Sequence, residues 1–227
     1  MEDPADVALS GFRGFVGIAS WTELIRVAVR HTFQRGDILF AQGQPGGVVR
    51  LLSVGRVKVM YVGQDGNTVL LCLRGPGDLL GELAGGIGEQ RMASVVAIER
   101  CVAYGLSDQD FHGRLRLGGL ESKFRRYMVE KLRETAPRQW QTARASAEAR
   151  LAELLLYAVK VAGPSHKTPM LVPLSQEEMA DALGVVRSSV TSPLARWRMA
   201  GLVTVQHGGT EVLDPAGLRS IVRAAGL

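Results

Sequence analysis

The sequence predicts an α+β chain in three parts: an N-terminal β-roll, a long helix and a C-terminal winged helix-turn-helix. Three observations predict it. From Phe33 to Leu106 short apolar runs alternate with glycine-marked turns. From Leu120 to Leu151 apolar residues recur every three or four positions. From Leu174 to Val212 a capped helix, a glycine turn, a second helix and a hairpin follow one another.

The chain has 227 residues, room for one large domain or two modest ones. Hydrophobic and charged shares of 46% and 22% are those of a folded soluble protein. No apolar stretch approaches the ~20 residues that span a bilayer. The acidic start, Met1-Glu-Asp-Pro-Ala-Asp6, lacks the basic residues of a signal peptide. A cytoplasmic protein with no membrane partner is therefore expected. Cys72 and Cys101 lie in apolar runs and read as small buried hydrophobes. Neither has a partner at metal spacing and the four histidines are scattered, so no metal, haem or iron–sulfur cluster is expected.

The net charge of +5 invites a nucleic-acid reading, but its distribution does not support one. Leu171 to Leu227 carries five arginines and five acidic residues, hence no net charge. Arg114 to Lys160 carries eleven basic and five acidic residues, so the excess lies in mid-chain. Charge says little about partners here; the spacing of the C-terminal motif says more.

Residues 1–19 read as irregular. Ser20-Trp-Thr-Glu23 forms a capping-box pattern, and Trp21, Leu24, Ile25 and Ala28 suit a short amphipathic helix. The expected strands are Ile38–Phe40, Val48–Leu52, Val57–Val62, Val69–Leu73, Ser94–Ile98 and Cys101–Leu106, with a hairpin at Asp65-Gly66 and further turns such as Gly85-Gly86. Ser107 opens a helix that Gly118-Gly119 closes. The following stripe is Leu120, Phe124, Met128, Leu132, Ala136, Trp140, Ala143, Ala147 and Leu151. Its length suits a seam between two copies of the chain. Pro137 removes a backbone bond to residue 133, so a kink or break is expected at Glu134–Pro137. Gly163–Pro169 reads as a linker. The expected organisation is an N-terminal segment over 1–19, a sensor domain over 20–113, a dimerisation helix region over 114–162 and a winged helix-turn-helix over 170–227.

In the C-terminal module Ser175 caps a helix over Gln176–Leu183, with Glu178 at the third position. Ala180 allows close approach of the next helix, Gly184 supplies the positive φ of the turn, and Val190 packs the second helix, Arg187–Ala200, on the first. Leu202–Gln206 and Thr210–Leu213 flank a Gly208-Gly209 turn. Asp214 caps a last helix that has Pro215 at its first position. Such an arrangement presents a helix to a DNA major groove. Pro193 falls in the middle of that helix, so the helix either bends and still reaches the groove or has lost sequence-specific binding.

Taken together, Arg35-Gly-Asp37, Gly43, Gly55-Arg-Val-Lys-Val59, Asp65-Gly66, Gly77-Asp78, Gly81-Glu-Leu83, Arg91 and the helix-turn-helix resemble the catabolite activator/Fnr (Crp/Fnr) family of bacterial transcription regulators, over about residues 20–215. The resemblance implies a homodimer on double-stranded DNA, acting with RNA polymerase, and no enzymatic activity. It also implies a cyclic-nucleotide-type pocket formed by Gly81, Glu82, Leu83, Arg91 and Met92, with Thr135 on the long helix. Arg91 would take a phosphate through several donors, and Glu82 would accept from a ribose hydroxyl. Met92 stands where binders of cyclic AMP usually place Ser or Thr. The effector is therefore a cyclic nucleotide, another small anion, or none, with Arg91 and Glu82 then forming an internal ion pair. On the recognition helix Arg187 keeps the family's first reading position, while Ser188 and Ser192 replace a glutamate and an arginine. The implied DNA-facing set is Ser175, Arg187, Ser188, Ser189, Thr191, Ser192 and Arg196; Trp197 reads as a packing residue. The alternative, motivated by Pro137, Pro193 and the neutral module, is an effector-sensing or protein-interaction module whose helix-turn-helix does not bind DNA.

Overall fold

The structure, a computed structural model, describes residues 10–226 apart from 65, 67, 85–88, 143, 144, 164, 165 and 207, and does not describe the side chains of 134–142. The chain divides into two compact units, Met1–Val59 with Arg74–Arg133, and Met60–Leu73 with Glu134–Leu227.

The first unit opens with helices α1 (Gly11–Val16) and α2 (Ile18–Arg26). Residues 11–16 are thus helical where the sequence reads as irregular. Phe12 and Val16 are both buried, and packing holds a helix too short and glycine-rich to form by propensity. α2 starts before the expected capping box: Gly17 occupies the cap position and no side chain bonds there. Trp21 and Leu24 are its buried residues, as their spacing requires.

All six expected apolar runs are strands: β2 (Ile38–Phe40), β3 (Val48–Val54), β4 (Val57–Val62), β5 (Thr68–Arg74), β7 (Ser94–Ala97) and β8 (Cys101–Ser107). Two further strands, β1 (Val29–Phe33) and β6 (Leu79–Leu80), complete two four-stranded sheets, β1-β8-β3-β6 and β2-β7-β4-β5. β1 lies at a sheet edge with a mostly exposed face, and β6 is two residues long, so neither carries a legible alternation. The expected turns at Asp65 and Gly85-Gly86 lie outside the described residues.

β3 shows how the strands sort their side chains. Leu52 joins Phe40, Leu80, Val95, Cys101 and Ala103 in one core cluster, with Val48 packed against it. Val49 and Leu51 pack with Phe12, Trp21, Phe111 and Tyr127 on the helical side. Successive residues point to opposite faces, so one strand serves both cores. Arg56, fully buried after β3, sets its guanidinium on Glu99 through two bonds of 2.9 and 2.8 Å. The Cys101 thiol donates to the Arg56 and Glu99 carbonyls at 3.3 Å each.

α3 (Asp108–Leu117) begins and ends as expected: Ser107 accepts from the Asp110 amide, and Gly118 closes the helix. α4 runs Glu121–Thr142, so the expected break at Glu134–Pro137 is not there. A proline removes one backbone bond and leaves those on either side intact. The interruption comes later, before α5 (Ala147–Ala162), which Ser146 caps. The long stripe is therefore split. Leu120, Phe124 and Met128 pack within the first unit, and Leu151 is core in the second, while Val129 and Leu132 are exposed. Ala136, Trp140 and Ala143 lie outside the described side chains.

In the second unit α5 supplies the central core through Leu151, Ala152, Leu155 and Ala158. Around it stand β9 (Leu171–Val172), α6 (Gln176–Leu183), α7 (Ser188–Met199), β10 (Val203–Gln206), β11 (Gly209–Val212) and α8 (Pro215–Ala224), with a β10-β11-β9 sheet. The predicted caps are present. Ser175 and Glu178 form a reciprocal capping box, and Asp214 accepts from the amides of Ala216 and Gly217. Gly184 is left-handed (φ 62°, ψ 41°); its amide and that of Val185 close the end of α6 on the carbonyls of Asp181 and Ala180. α7 runs unbroken through Pro193, whose ring is buried with Val190, Leu194 and Trp197. Among the described residues no helix is long and apolar enough to cross a membrane, and no group of three or more His, Cys, Asp or Glu could hold a metal ion.

Two outcomes test this description. Gly184→Ala places a β-carbon in left-handed backbone with no steric clash around it, so the loss should be only about 1–2 kcal/mol by urea unfolding; no loss would deny the turn. Burial pushes the Cys101 thiol up to about 12, so the unfolded chain releases that proton first. The stabilisation is complete below the ordinary thiol value and is lost as pH rises toward 12. Stability should fall between about pH 8 and 10.5 more steeply in the native sequence than in Cys101→Ala; equal slopes would contradict it.

Candidate functional site

Gly81 organises the first cluster. It has φ +83°, and a β-carbon there would overlap Arg91 Nη1 and lie 2.9 Å from the Phe40 ring. Only glycine allows the Arg91 guanidinium to pack against this backbone. Arg91 Nη1 donates to the Gly81 carbonyl and Nη2 to the Val48 carbonyl, each at 2.7 Å. Its Cζ lies 4.0 Å from the Phe40 centroid, while Nε is buried without a partner. The Arg91 main chain is fixed as well: its amide donates to the Gln44 carbonyl (2.8 Å) and its carbonyl accepts from the Gly43 amide (2.9 Å). Burial lowers the Arg91 pKa, and Glu82 and Asp108 oppose that shift.

Glu82 is buried, but its partner is not Arg91. The Arg91–Glu82 ion pair of the ligand-free alternative is not formed; Glu82 pairs instead with Lys131 of α4, whose ammonium meets Glu82 Oε1 at 2.5 Å and donates to the Leu79 carbonyl at 2.9 Å. One turn earlier, the Tyr127 hydroxyl donates to Asp78 Oδ1 (3.2 Å) and accepts from the Leu79 amide (3.1 Å). Burial, then Asp78 and Glu82, raise the Tyr127 pKa well above its ordinary value. Sequence reasoning missed Lys131 and Tyr127, although their four-residue spacing places them on one helix face. Gly81, Glu82 and Arg91 are thus brought together. Leu83 and Met92 are largely exposed, at 54% and 60%, so the bulk of Met92 lies outside the buried cluster. The Thr135 side chain lies outside the described residues.

The second cluster lies on α6 and α7. Arg187 takes the cap position of α7 in helical conformation and is exposed, as are Ser188 and Ser192; Ser189 and Thr191 are half-buried. Ser175 accepts from the Glu178 amide at 3.1 Å. A cleft of about 280 Å³ runs between the start of α6 and the β10–β11 turn, lined by Ser175, Gln176, Glu177, Arg187, Gln206 and Thr210 among others. Arg196 stands apart from this group. Its guanidinium meets Glu148 of α5 at 2.8 Å, and the Trp197 indole donates to the same carboxylate at 3.0 Å. Trp197 is buried, as its reading as a packing residue requires. Arg196 helps to hold α7 on α5, a role with no local signal in the sequence, because Glu148 is 48 residues away. Arg150 of α5 donates to the Leu183 carbonyl at the end of α6.

Residues 30–116 match the family model for the cyclic nucleotide-binding domain, and residues 149–221 match that for the Crp-like helix-turn-helix domain. The chain is 26% identical over 185 residues to a CRP-like cAMP-activated global transcriptional regulator of Mycobacterium tuberculosis, covering 80% of this chain and 83% of that one. It is 27% identical over 194 residues to the cyclic AMP receptor protein of Thermus thermophilus, covering 85% and 87%. A solved CRP-family transcriptional regulator, also from Thermus thermophilus, superposes with a TM-score of 0.71 at 25% identity, covering 86% of this chain and 97% of that one. Two matched domains in this order, on the architecture described above, place the chain in the Crp/Fnr family of transcription regulators.

Proposed function

We propose that the chain acts as a homodimer that binds double-stranded DNA at specific sites, takes a small anionic effector in its β-roll, and regulates transcription with RNA polymerase as partner. The observation that carries the DNA-binding part is the outer face of α7. Arg187 stands exposed at its start, beside the exposed Ser188 and Ser192 and above a core of Val190, Leu194 and Trp197. Arg187 suits guanine, where a guanidinium can take O6 and N7 together. Ser188, Ser189, Thr191 and Ser192 suit phosphates, as does the hydroxyl of Ser175 at the start of α6. Arg196, engaged with Glu148, is the weakest member of the expected set. The unbroken course of α7 through Pro193 supports a working helix-turn-helix. In a dimer, two such helices address half-sites about 34 Å apart.

The effector reading rests on Arg91 and Glu82. A buried guanidinium with an unpartnered Nε suits a phosphate, and a buried carboxylate suits a ribose hydroxyl. The two relatives named for cyclic AMP support a cyclic nucleotide as first candidate. Because Lys131 holds Glu82, a ligand hydroxyl that shares this carboxylate changes what α4 is fastened to. The exposed Val129 and Leu132 on α4 suit contact with a second copy.

Arg187→Ala tests the DNA-binding part. Against a site selected from random DNA, the variant should lose about 1–3 kcal/mol of discrimination at one base position, while binding to unrelated DNA stays nearly unchanged. Undiminished sequence preference would show that Arg187 is not the reader.

A further inference from the structure

A second arginine shares the interior of the β-roll with Arg91, and the site described above leaves it unused. Arg50 lies on β3 two residues beyond Val48, whose carbonyl takes Arg91 Nη2, so both positions present side chains to the same face. The Arg50 guanidinium carbon lies 5.1 Å from the Phe40 centroid and 5.3 Å from that of Phe33, so Phe40 is flanked by both arginines. Gly105 on the adjacent β8 lets the guanidinium pack close to its backbone: a β-carbon there would come 3.3 Å from Arg50 Nη1 and 3.5 Å from His31 Nε2.

Three donors of this group are idle. Arg50 Nε and Nη1 are buried without hydrogen-bond partners, as is Arg91 Nε. Among the described residues no carboxylate bridges Arg50: Glu82 is held by Lys131, and Asp108 faces His112 at 3.4 Å. Burial lowers the Arg50 pKa and the neighbouring Arg91 charge lowers it further; His31 is lowered by burial and then by Arg50. Two like charges with free donors are a costly thing to bury. They stop being costly once an oxyanion lies between them, because a guanidinium presents parallel N–H groups that match two oxygens.

We infer that Arg50 is the second cation of the effector site, and that the effector carries a second anionic charge, on the phosphate that Arg91 takes or on another beside it. A phosphomonoester dianion and a second phosphodiester share that chemistry; a single cyclic phosphodiester lacks it. The inference rests on reading the β-roll as the sensor, and the test separates the two.

The test uses the full chain, Arg50→Met and Arg50→Lys. Melting temperatures are measured in sulfate and in chloride at equal ionic strength, and affinities are measured for cyclic AMP, adenosine 5′-monophosphate and cyclic di-GMP. Sulfate stabilises proteins generally, so the expected result is a larger sulfate increment in the native chain than in Arg50→Met. Either the monophosphate or cyclic di-GMP should bind about tenfold or more tighter than cyclic AMP, a preference worth RT ln 10, and which of them does so identifies the source of the second charge. That preference should vanish in Arg50→Met and mostly vanish in Arg50→Lys, which keeps the charge but not the fork. Equal sulfate increments, or a preference for cyclic AMP that Arg50 variants leave unchanged, would overturn the inference while leaving the sensor reading intact. An Arg50-dependent sulfate increment with no nucleotide bound would uphold the anion site and overturn the nucleotide-sensing reading.

Discussion

Lys131 and Glu82 place one buried charge against another, and the chemistry of the first unit is arranged around that pair. A buried ion pair contributes little net stability, but leaving either partner alone is expensive, so it fixes geometry more than it adds free energy. Here it fixes α4 to the segment Asp78–Glu82. Tyr127, one turn before Lys131, completes the clamp through Asp78 and the Leu79 amide. Between these two carboxylates lies Gly81, whose missing side chain admits the Arg91 guanidinium. The same few residues therefore anchor a helix and, on the proposed function, form the effector site. On the proposed function, a ligand that shares Glu82 competes with Lys131 for the same carboxylate.

The second unit uses the same device with less charge. Glu148 takes both the Trp197 indole and the Arg196 guanidinium, and Arg150 takes the end of α6, so α5 fastens both helices of the helix-turn-helix. The outer face of α7 is left with Arg187 and a set of hydroxyls, in a segment with no net charge. Affinity from phosphate neutralisation alone should be modest for such a surface. On the proposed function, specificity then rests on Arg187, which stands over a packed core of Val190, Pro193, Leu194 and Trp197.

Much of this was legible in the sequence, for local reasons. The six apolar strands, the Ser107 and Asp214 caps, the Ser175–Glu178 capping box and the left-handed Gly184 each depend on a few neighbouring residues, and each is in place. What was not legible depends on distant partners. α1 is held by burial of Phe12 and Val16, and β1 and β6 are too polar or too short to show a period. Pro137 and Pro193 read as helix breakers, yet a single lost backbone bond did not end either helix. Glu82 was read as a ribose acceptor or, with no effector, as the partner of Arg91, because both belong to one motif. Its partner Lys131 lies 49 residues away, and only the packing of α4 brings it there. Arg196 was assigned to DNA from its place on α7, and its engagement with Glu148 was equally invisible.

On the proposed function, occupancy at Glu82 and Arg91 is coupled through α4 to DNA affinity. Coupling of this kind is reciprocal: a ligand that tightens DNA binding by some factor is itself bound tighter on DNA by the same factor. The most direct measurement is the affinity of the full chain for a selected DNA site with and without a saturating nucleotide, taken as whichever of cyclic AMP, adenosine 5′-monophosphate and cyclic di-GMP binds tightest, in the native sequence and in Lys131→Met. The expected change is about 5-fold to 150-fold in the native chain, and little or none in Lys131→Met with the nucleotide still bound. An identical response in both proteins, or none in either, would contradict it.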